Sequence, residues 1–248
     1  MKNHFVAKMF LIGLLGVLSL LLSNFQNVIE LPQEITSQYN STQIKLLLLI
    51  NPLVLLFISV LVGNLFFRKV GLEVPILSSK FNRQRIQPLI RDFLKVGVLS
   101  GMVLGVIIIL IAGVSEKVTG SNVVNSPLSS DLNLITRLMY GGVTEEIIMR
   151  FGVMTFLVWI IVKISKSKSN LVFVSAILIS SLLFALGHLP IVYSTAEVVS
   201  FGLVAYVLIG NSVGGLVYGY LYWKKGLECS MISHMSTHIT FVVANFFL

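Results

Sequence analysis

Residues Ile44–Phe67 read IKLLLLINPLVLLFISVLVGNLFF, an apolar run in which Lys45 is the only charged side chain. A helix needs about 20 mainly apolar residues to cross the hydrocarbon core of a bilayer. Membrane β-barrels instead show short segments in which apolar and polar residues alternate, and this run has no such alternation. The run therefore predicts a membrane-spanning α-helix.

Six further apolar runs have a comparable length. In chain order they are Phe5–Phe25, Val96–Val114, Leu132–Val162, Leu171–Gly187, Val198–Trp223 and Leu227–Leu248. The run Leu132–Val162 is too long for one straight crossing, so we expect it to tilt strongly or to break at Gly141-Gly142. Hydrophobic residues make up 56% of the 248 residues and charged residues 11%, against about 25% charged in soluble domains. The chain is therefore predicted to be an all-α, polytopic transmembrane bundle of about seven spans.

The basic residues are expected to lie on one side of the membrane. Most of the 18 lysines and arginines fall near the N-terminus, in the loop 68–95, in the linker 163–170 and at Lys224-Lys225. Short cytoplasmic loops carry such an excess, which predicts a multi-pass protein of the cell membrane with a cytoplasmic N-terminus. The loop 68–95 is partly amphipathic and could lie on the lipid surface. Because topology explains the net charge of +8, we expect membrane lipid as a partner and no nucleic acid.

Three polar clusters interrupt the apolar runs of the C-terminal half. They are Glu145-Glu146-x-x-x-Arg150, Phe184-x-x-x-His188 and His234-x-x-x-His238. An ionisable residue at membrane depth is costly, and it indicates a functional site by default. Three of the four histidines of the chain belong to these clusters, so the chemistry of the protein is expected here.

Helix geometry separates the two glutamates. Glu146 and Arg150 are four residues apart and can pair on one face, whereas adjacent residues diverge by about 100°. Glu145 should then face other helices or a wet cavity, where a carboxylate and an imidazole could activate a water molecule. A further imidazole could donate a hydrogen bond to the oxyanion that forms. Alternatively, one carboxylate and three histidines could bind zinc, and the spacing does not decide between the two.

At these residues the chain resembles the CPBP family of intramembrane proteases, which includes CAAX prenyl endopeptidases and bacteriocin-processing or self-immunity proteins. That family carries Glu-Glu-x-x-x-Arg, Phe-x-x-x-His and His-x-x-x-Asn or Asp, in this order, on separate helices. The first two motifs match completely, while the third ends in His238 in place of Asn or Asp. The resemblance covers residues 134–245, and we expect a catalytic core at 132–248 after an N-terminal three-span region at 1–131.

The resemblance implies a role for each motif residue. Glu145 and His188 would activate the water, and His234 and His238 would face the oxyanion. Supporting roles would fall to Glu146, Arg150 and Phe184. The enzyme would be an intramembrane endopeptidase, either a metalloprotease with Glu145, His188, His234 and His238 as ligands or a metal-free glutamate protease, and its cofactor is unknown.

The expected substrate is a membrane-associated protein or peptide, in bacteriocin processing or self-immunity. A non-catalytic relative that binds a peptide or confers immunity is an alternative, favoured by His238. A transporter that relays protons or ions through Glu145 and the histidines is another. Counted from the cytoplasmic helix ends, His188 lies deeper than His234, so straight parallel helices would keep them apart.

Overall fold

The computed structural model describes residues 2–23, 37–79, 82–120, 132–195 and 199–247, and within these ranges it contains helices and no strand. In chain order the helices are α1 (Lys2–Ser19, continued by a 3₁₀ turn at Leu20–Leu22), α2 (Ser41–Leu48), α3 (Ile50–Val70), α4 (Arg83–Thr119), α5 (Leu134–Thr136), the π-helices π1 (Arg137–Glu145) and π2 (Ile147–Met154), α6 (Thr155–Ser165), α7 (Asn170–Gly187), α8 (Leu189–Thr195), α9 (Phe201–Lys225) and α10 (Leu227–Ala244). The predicted end of the first run at Phe25, the boundary at residue 131 and Leu248 lie outside the described residues.

Six helical segments in the described ranges are long and apolar enough to cross a membrane. They are His4–Leu22, Ser41–Val70, Arg83–Thr119, Leu134–Ser165, Asn170–Ser194 and Phe201–Lys225. This confirms the prediction of a polytopic helical bundle, and the protein is an integral membrane protein. The seventh predicted run forms α10, which is not among the six because serine, threonine and histidine lower its hydropathy. Most of the polar side chains of α10 are buried against other helices.

Contacts near the helix ends bring the basic segments to one end of the bundle. Lys168 Nζ donates a hydrogen bond of 2.8 Å to the carbonyl oxygen of Lys69. Lys225 Nζ lies 2.9 Å from the carboxylate of Asp92. The ends of α3, α6 and α9 and the start of α4 therefore share one end, as the distribution of basic residues predicted. The assignment of this end to the cytoplasm stays a prediction.

The long fourth crossing is wound largely as a π-helix, so of the two expected alternatives the break at Gly141-Gly142 does not occur. Its backbone follows i→i+5 hydrogen bonding over Arg137–Glu145 and Ile147–Met154, with Glu146 in α-helical geometry between the two π-helices. The wider turn advances less per residue, so the segment Leu134–Ser165 can cross without a break. π-Helical turns are rare, and they occur frequently at functional sites.

Glycines on α4 form a seam against α10. Gly97, Gly101 and Gly105 follow one another at four-residue spacing and therefore lie on one face of α4. A Cβ atom on Gly101 would collide with the carbonyl oxygen of Ser233, and one on Gly105 would lie 2.6 Å from Thr240 Cβ. Small residues at such spacing let the backbones of membrane helices approach closely.

The helix α4 also joins two segments that were predicted separately, the amphipathic part of the loop 68–95 and the third span, Val96–Val114.

We expect Gly101→Ala to lower the free energy of unfolding by about 1–3 kcal/mol, because the added methyl group must displace backbone of α10. The matched control is Gly113→Ala on the same helix, where a Cβ atom would meet nothing within 4 Å. That variant should be as stable as wild type or slightly more stable, since alanine is the better helix former. Thermal unfolding in detergent measures both, and equal effects would contradict the close approach of the two helices.

Candidate active site

The carboxylate of Glu146 is the centre of a fully buried polar network. Its Oε1 lies 3.0 Å from His234 Nδ1. Its Oε2 accepts a hydrogen bond from Ser230 Oγ and lies 3.5 Å from Arg150 Nε. Glu146 and Arg150 meet along one face, as their four-residue spacing predicted. The network joins the fourth crossing to α10, and Glu146, Arg150 and Ser230 in it have no access to solvent.

Arg150 is fully buried and is held mainly by electrostatics. None of its guanidinium nitrogens makes a hydrogen bond to another described residue. Its Cζ atom lies 5.2 Å from the centre of the Phe184 ring, within the range of a cation–π interaction. Phe184 thus faces the positive charge that balances Glu146, which gives the phenylalanine of the second motif a structural role.

The imidazole of His234 is fixed on three sides. A carboxylate can only accept from Nδ1, so Nδ1 carries a proton and donates it toward Glu146. One face of the ring stacks on Tyr218 at 4.4 Å and 16°, and the other stacks on His238 at 4.9 Å and 20°. The edge that carries Nε2 remains open, and Nε2 is therefore the atom that can exchange a proton or a hydrogen bond with a ligand.

His234 lines a small internal cavity of about 120 Å³ between α4, α7, α9 and α10. Its wall includes His238, Tyr218, Thr237, Asn211 and Tyr206. Since a water molecule occupies about 30 Å³ of liquid, the cavity has room for a peptide carbonyl group and one or two waters. Because Nδ1 is engaged by Glu146, Nε2 is the ring nitrogen of His234 that is available to this space.

Glu145 and His188 are placed differently from His234. His188 ends α7, and its Nδ1 lies 2.8 Å from the carbonyl oxygen of Phe184. A carbonyl accepts, so Nδ1 carries the proton and Nε2 keeps its lone pair. Glu145 is half-buried and makes no hydrogen bond or ion pair within the described ranges, with His188 or with any other residue. Among the described residues neither lines the cavity, and their joint activation of a water stays a prediction.

Phe184 resolves the expected difference in depth between the histidines. Its ring centre lies 4.7 Å from that of His188 and 6.1 Å from that of His234. The two imidazoles therefore border one aromatic side chain without touching each other. The helix α7 ends at Gly187, just before Pro190, so His188 lies at a helix end as the sequence indicated.

His238 extends the stack on His234. Its Nδ1 is buried and makes no hydrogen bond within the described part of the chain. A Cβ atom on Gly141 would lie 2.6 Å from its Nε2. The glycine pair of the fourth crossing therefore accommodates side chains of α10: Gly141 leaves room for His238, and a Cβ on Gly142 would collide with Met235. A bulky imidazole fits where the family has an amide or carboxylate because glycine faces it.

The described residues contain no group of three or more His, Cys, Asp or Glu side chains arranged to hold a metal ion. Among the described residues, His234 and His238 line the cavity but Glu145 and His188 do not, so the four ligands that the sequence suggested for zinc do not surround it. The geometry of the donors thus gives the zinc alternative no support.

Two members of the network were not singled out from the sequence. Ser230 lies four residues before His234 and so on its face of α10, a spacing that could have indicated it. Tyr218 lies on α9, and no periodicity relates it to His234. Only the packing of the two helices reveals that it is a neighbour.

Comparison with protein families identifies the C-terminal part of the chain. Residues 127–240 match the family described as Type II CAAX prenyl endopeptidase Rce1-like. The matched segment contains all three motifs and nearly all of the helices around the cavity. Comparisons with curated proteins and with solved structures found no match. The segment that carries Glu146, Arg150 and His234 in one buried network is thus similar to the CAAX-type prenyl endopeptidases that this family describes.

Proposed function

We propose that the protein is a membrane-embedded endopeptidase that hydrolyses a peptide bond of a membrane-associated protein or peptide. The observation that carries the proposal is the orientation of His234. Glu146 holds its Nδ1, two rings hold its faces, and its Nε2 edge faces a cavity of the size of a peptide carbonyl group. The family match supports proteolysis as the reaction.

In the proposed reaction, Glu145 and His188 take a proton from a water molecule, whose oxygen attacks the peptide carbonyl carbon. The lone pair on His188 Nε2 suits it to accept that proton. In its doubly protonated form His234 keeps Nδ1–H on Glu146 and donates Nε2–H to the oxyanion of the tetrahedral intermediate. The C–N bond then breaks as the amine leaves with the proton that the water gave up. Catalytic hydrogen bonds are often long before substrate binds, so Glu145 and His188 would approach each other around the bound water.

The substrate would reach the cavity from the lipid. An apolar groove of about 490 Å³ lies between the last turns of α4 and the first turns of α9, and Tyr206 lines both the groove and the cavity. Apolar residues beside the scissile bond can occupy such a groove while the carbonyl group enters the cavity. Such a route suits the maturation of a bacteriocin-like peptide or self-immunity. The enzyme would lie in the cell membrane with its N-terminus in the cytoplasm.

A second candidate is a relative that binds such a peptide without cleaving it. The observation that favours it is His238, which replaces the amide or carboxylate of the family motif and leaves Nδ1 without a partner. In that case the cavity would retain the peptide carbonyl group without stabilising an oxyanion.

The test is cleavage of a panel of quenched membrane peptides, with and without a prenylated C-terminus, by the purified protein in liposomes. We expect wild type to cleave at least one unprenylated peptide and to keep its rate in the presence of a chelator. Loss of activity with the chelator would overturn the metal-free mechanism. If wild type and His238→Asn both bound a peptide but only His238→Asn cleaved it, the wild-type protein would be the non-catalytic, peptide-binding relative instead.

A further inference from the structure

A hydrogen bond at one nitrogen does not fix the plane of a histidine ring. The χ2 torsion of histidine has a broad, roughly two-fold profile, so a ring tethered only at Nδ1 can still tilt. In this protein the tilt of His234 is limited by the rings on its two faces. Tyr218 makes the closer and more nearly parallel contact, 4.4 Å and 16° against 4.9 Å and 20° for His238.

Tyr218 is itself anchored at both ends. Its hydroxyl donates a hydrogen bond of 2.9 Å to Thr237 Oγ1 on α10. Its backbone carbonyl oxygen lies 2.9 Å from Ser230 Oγ, the same hydroxyl that contacts the carboxylate of Glu146. One tyrosine therefore touches the face of His234 and, through Ser230, the group that holds the edge of His234.

We propose that Tyr218 is a positioning residue for His234 in the proposed cleavage reaction. Its ring keeps the imidazole in the plane in which Nδ1 reaches Glu146 and Nε2 faces the cavity. The hydroxyl of Tyr218 serves to hold the ring, and the ring serves to hold His234. The inference rests on the proposed function for its effect on turnover, but the orientation of His234 can be measured without turnover.

Tyr222 provides a matched control one turn further along α9. It is fully buried like Tyr218, and its hydroxyl shares a hydrogen bond of 2.9 Å with a threonine, Thr155. Within the described residues it makes no ring contact with His234. Leucine at either position removes a buried tyrosine and a Tyr–Thr hydrogen bond. Only at position 218 does it also remove the ring that stacks on one face of His234.

The kinetic arm compares Tyr218→Leu, Tyr218→Phe and Tyr222→Leu with wild type, with rates expressed per folded molecule. We expect Tyr218→Leu to lower kcat by roughly 10- to 100-fold with little change in KM, because the misplaced ring affects the reaction rather than binding. Tyr218→Phe keeps the ring and should retain most of kcat. Tyr222→Leu should lose stability but keep its kcat.

The second arm uses ¹⁵N-labelled histidine in the purified protein, with His234→Ala to assign the signals. We expect the neutral ring of His234 in wild type and in Tyr222→Leu to carry its proton on Nδ1, and that in Tyr218→Leu to show a mixture of tautomers. Equal kcat losses in the two leucine variants, or His234 signals that Tyr218→Leu leaves unchanged, would overturn the inference. Absence of cleavage by wild type would refute the proposed function, and the nitrogen signals would still decide the positioning role.

Discussion

Glu145→Gln is expected to slow peptide cleavage by about 10²- to 10⁴-fold, the usual contribution of a general base. Glutamine has the shape of glutamate but cannot take a proton from water. Because Glu145 makes no hydrogen bond or ion pair within the described ranges, the substitution breaks no such interaction there, and glutamine keeps the packing of the half-buried side chain. The loss should therefore appear in kcat while the unfolding temperature stays that of wild type.

Single-turnover cleavage in liposomes, combined with thermal unfolding, measures both quantities. His188→Gln should show a loss of similar size, since the proposal gives the two side chains one water to activate. His4→Gln is the control, because His4 is exposed on α1, outside the three motifs. A Glu145→Gln protein that keeps more than half of the wild-type rate would show that another group is the base.

Arg150→Met is expected to lower the free energy of unfolding by about 3–5 kcal/mol. This is the usual cost of removing one partner of a buried ion pair and leaving the other charge uncompensated. Methionine fills much of the volume of arginine but leaves the carboxylate of Glu146 without a compensating cation. That carboxylate is fully buried, so water cannot replace the lost charge. Only Ser230 and His234 would still donate to it.

The double substitution Glu146→Gln/Arg150→Met is the matched control, since it removes both charges together. A neutral pair of similar volume should recover much of the lost stability, because uncharged groups cost less to bury. Denaturant unfolding in mixed micelles gives the comparison. If the single variant proved as stable as the double variant, the charge of Glu146 would not depend on Arg150.

Much of the fold could be predicted because a bilayer limits the choices. Apolar length located six crossings, and the basic loops predicted which helix ends share one side. The π-helical winding of the fourth crossing could not be predicted from Gly141 and Gly142. A glycine that ends a helix and a glycine that makes room for a neighbour look alike in a sequence, and here the neighbours are His238 and Met235 on a distant helix.

The candidate site divides in the same way. The pairing of Glu146 with Arg150 follows from the spacing of residues on one helix, and it could be predicted. The contact of Glu146 with His234 joins residues on different crossings, and no local pattern encodes it. The roles of Glu145 and His188 come from family resemblance and remain predictions, because within the described residues no hydrogen bond joins them.

The glycine seam on α4 also bears on how the protein is assembled in the membrane. α10 carries three buried serines, a buried threonine and two histidines, so lipid alone would solvate it poorly during insertion. Gly97, Gly101 and Gly105 offer it a polypeptide surface on a helix that is synthesised earlier. We therefore expect sequential biogenesis, in which α10 docks on α4 and its histidines reach their neighbours only after the preceding helices are in place. A cell would thus make no competent site from an incompletely inserted chain.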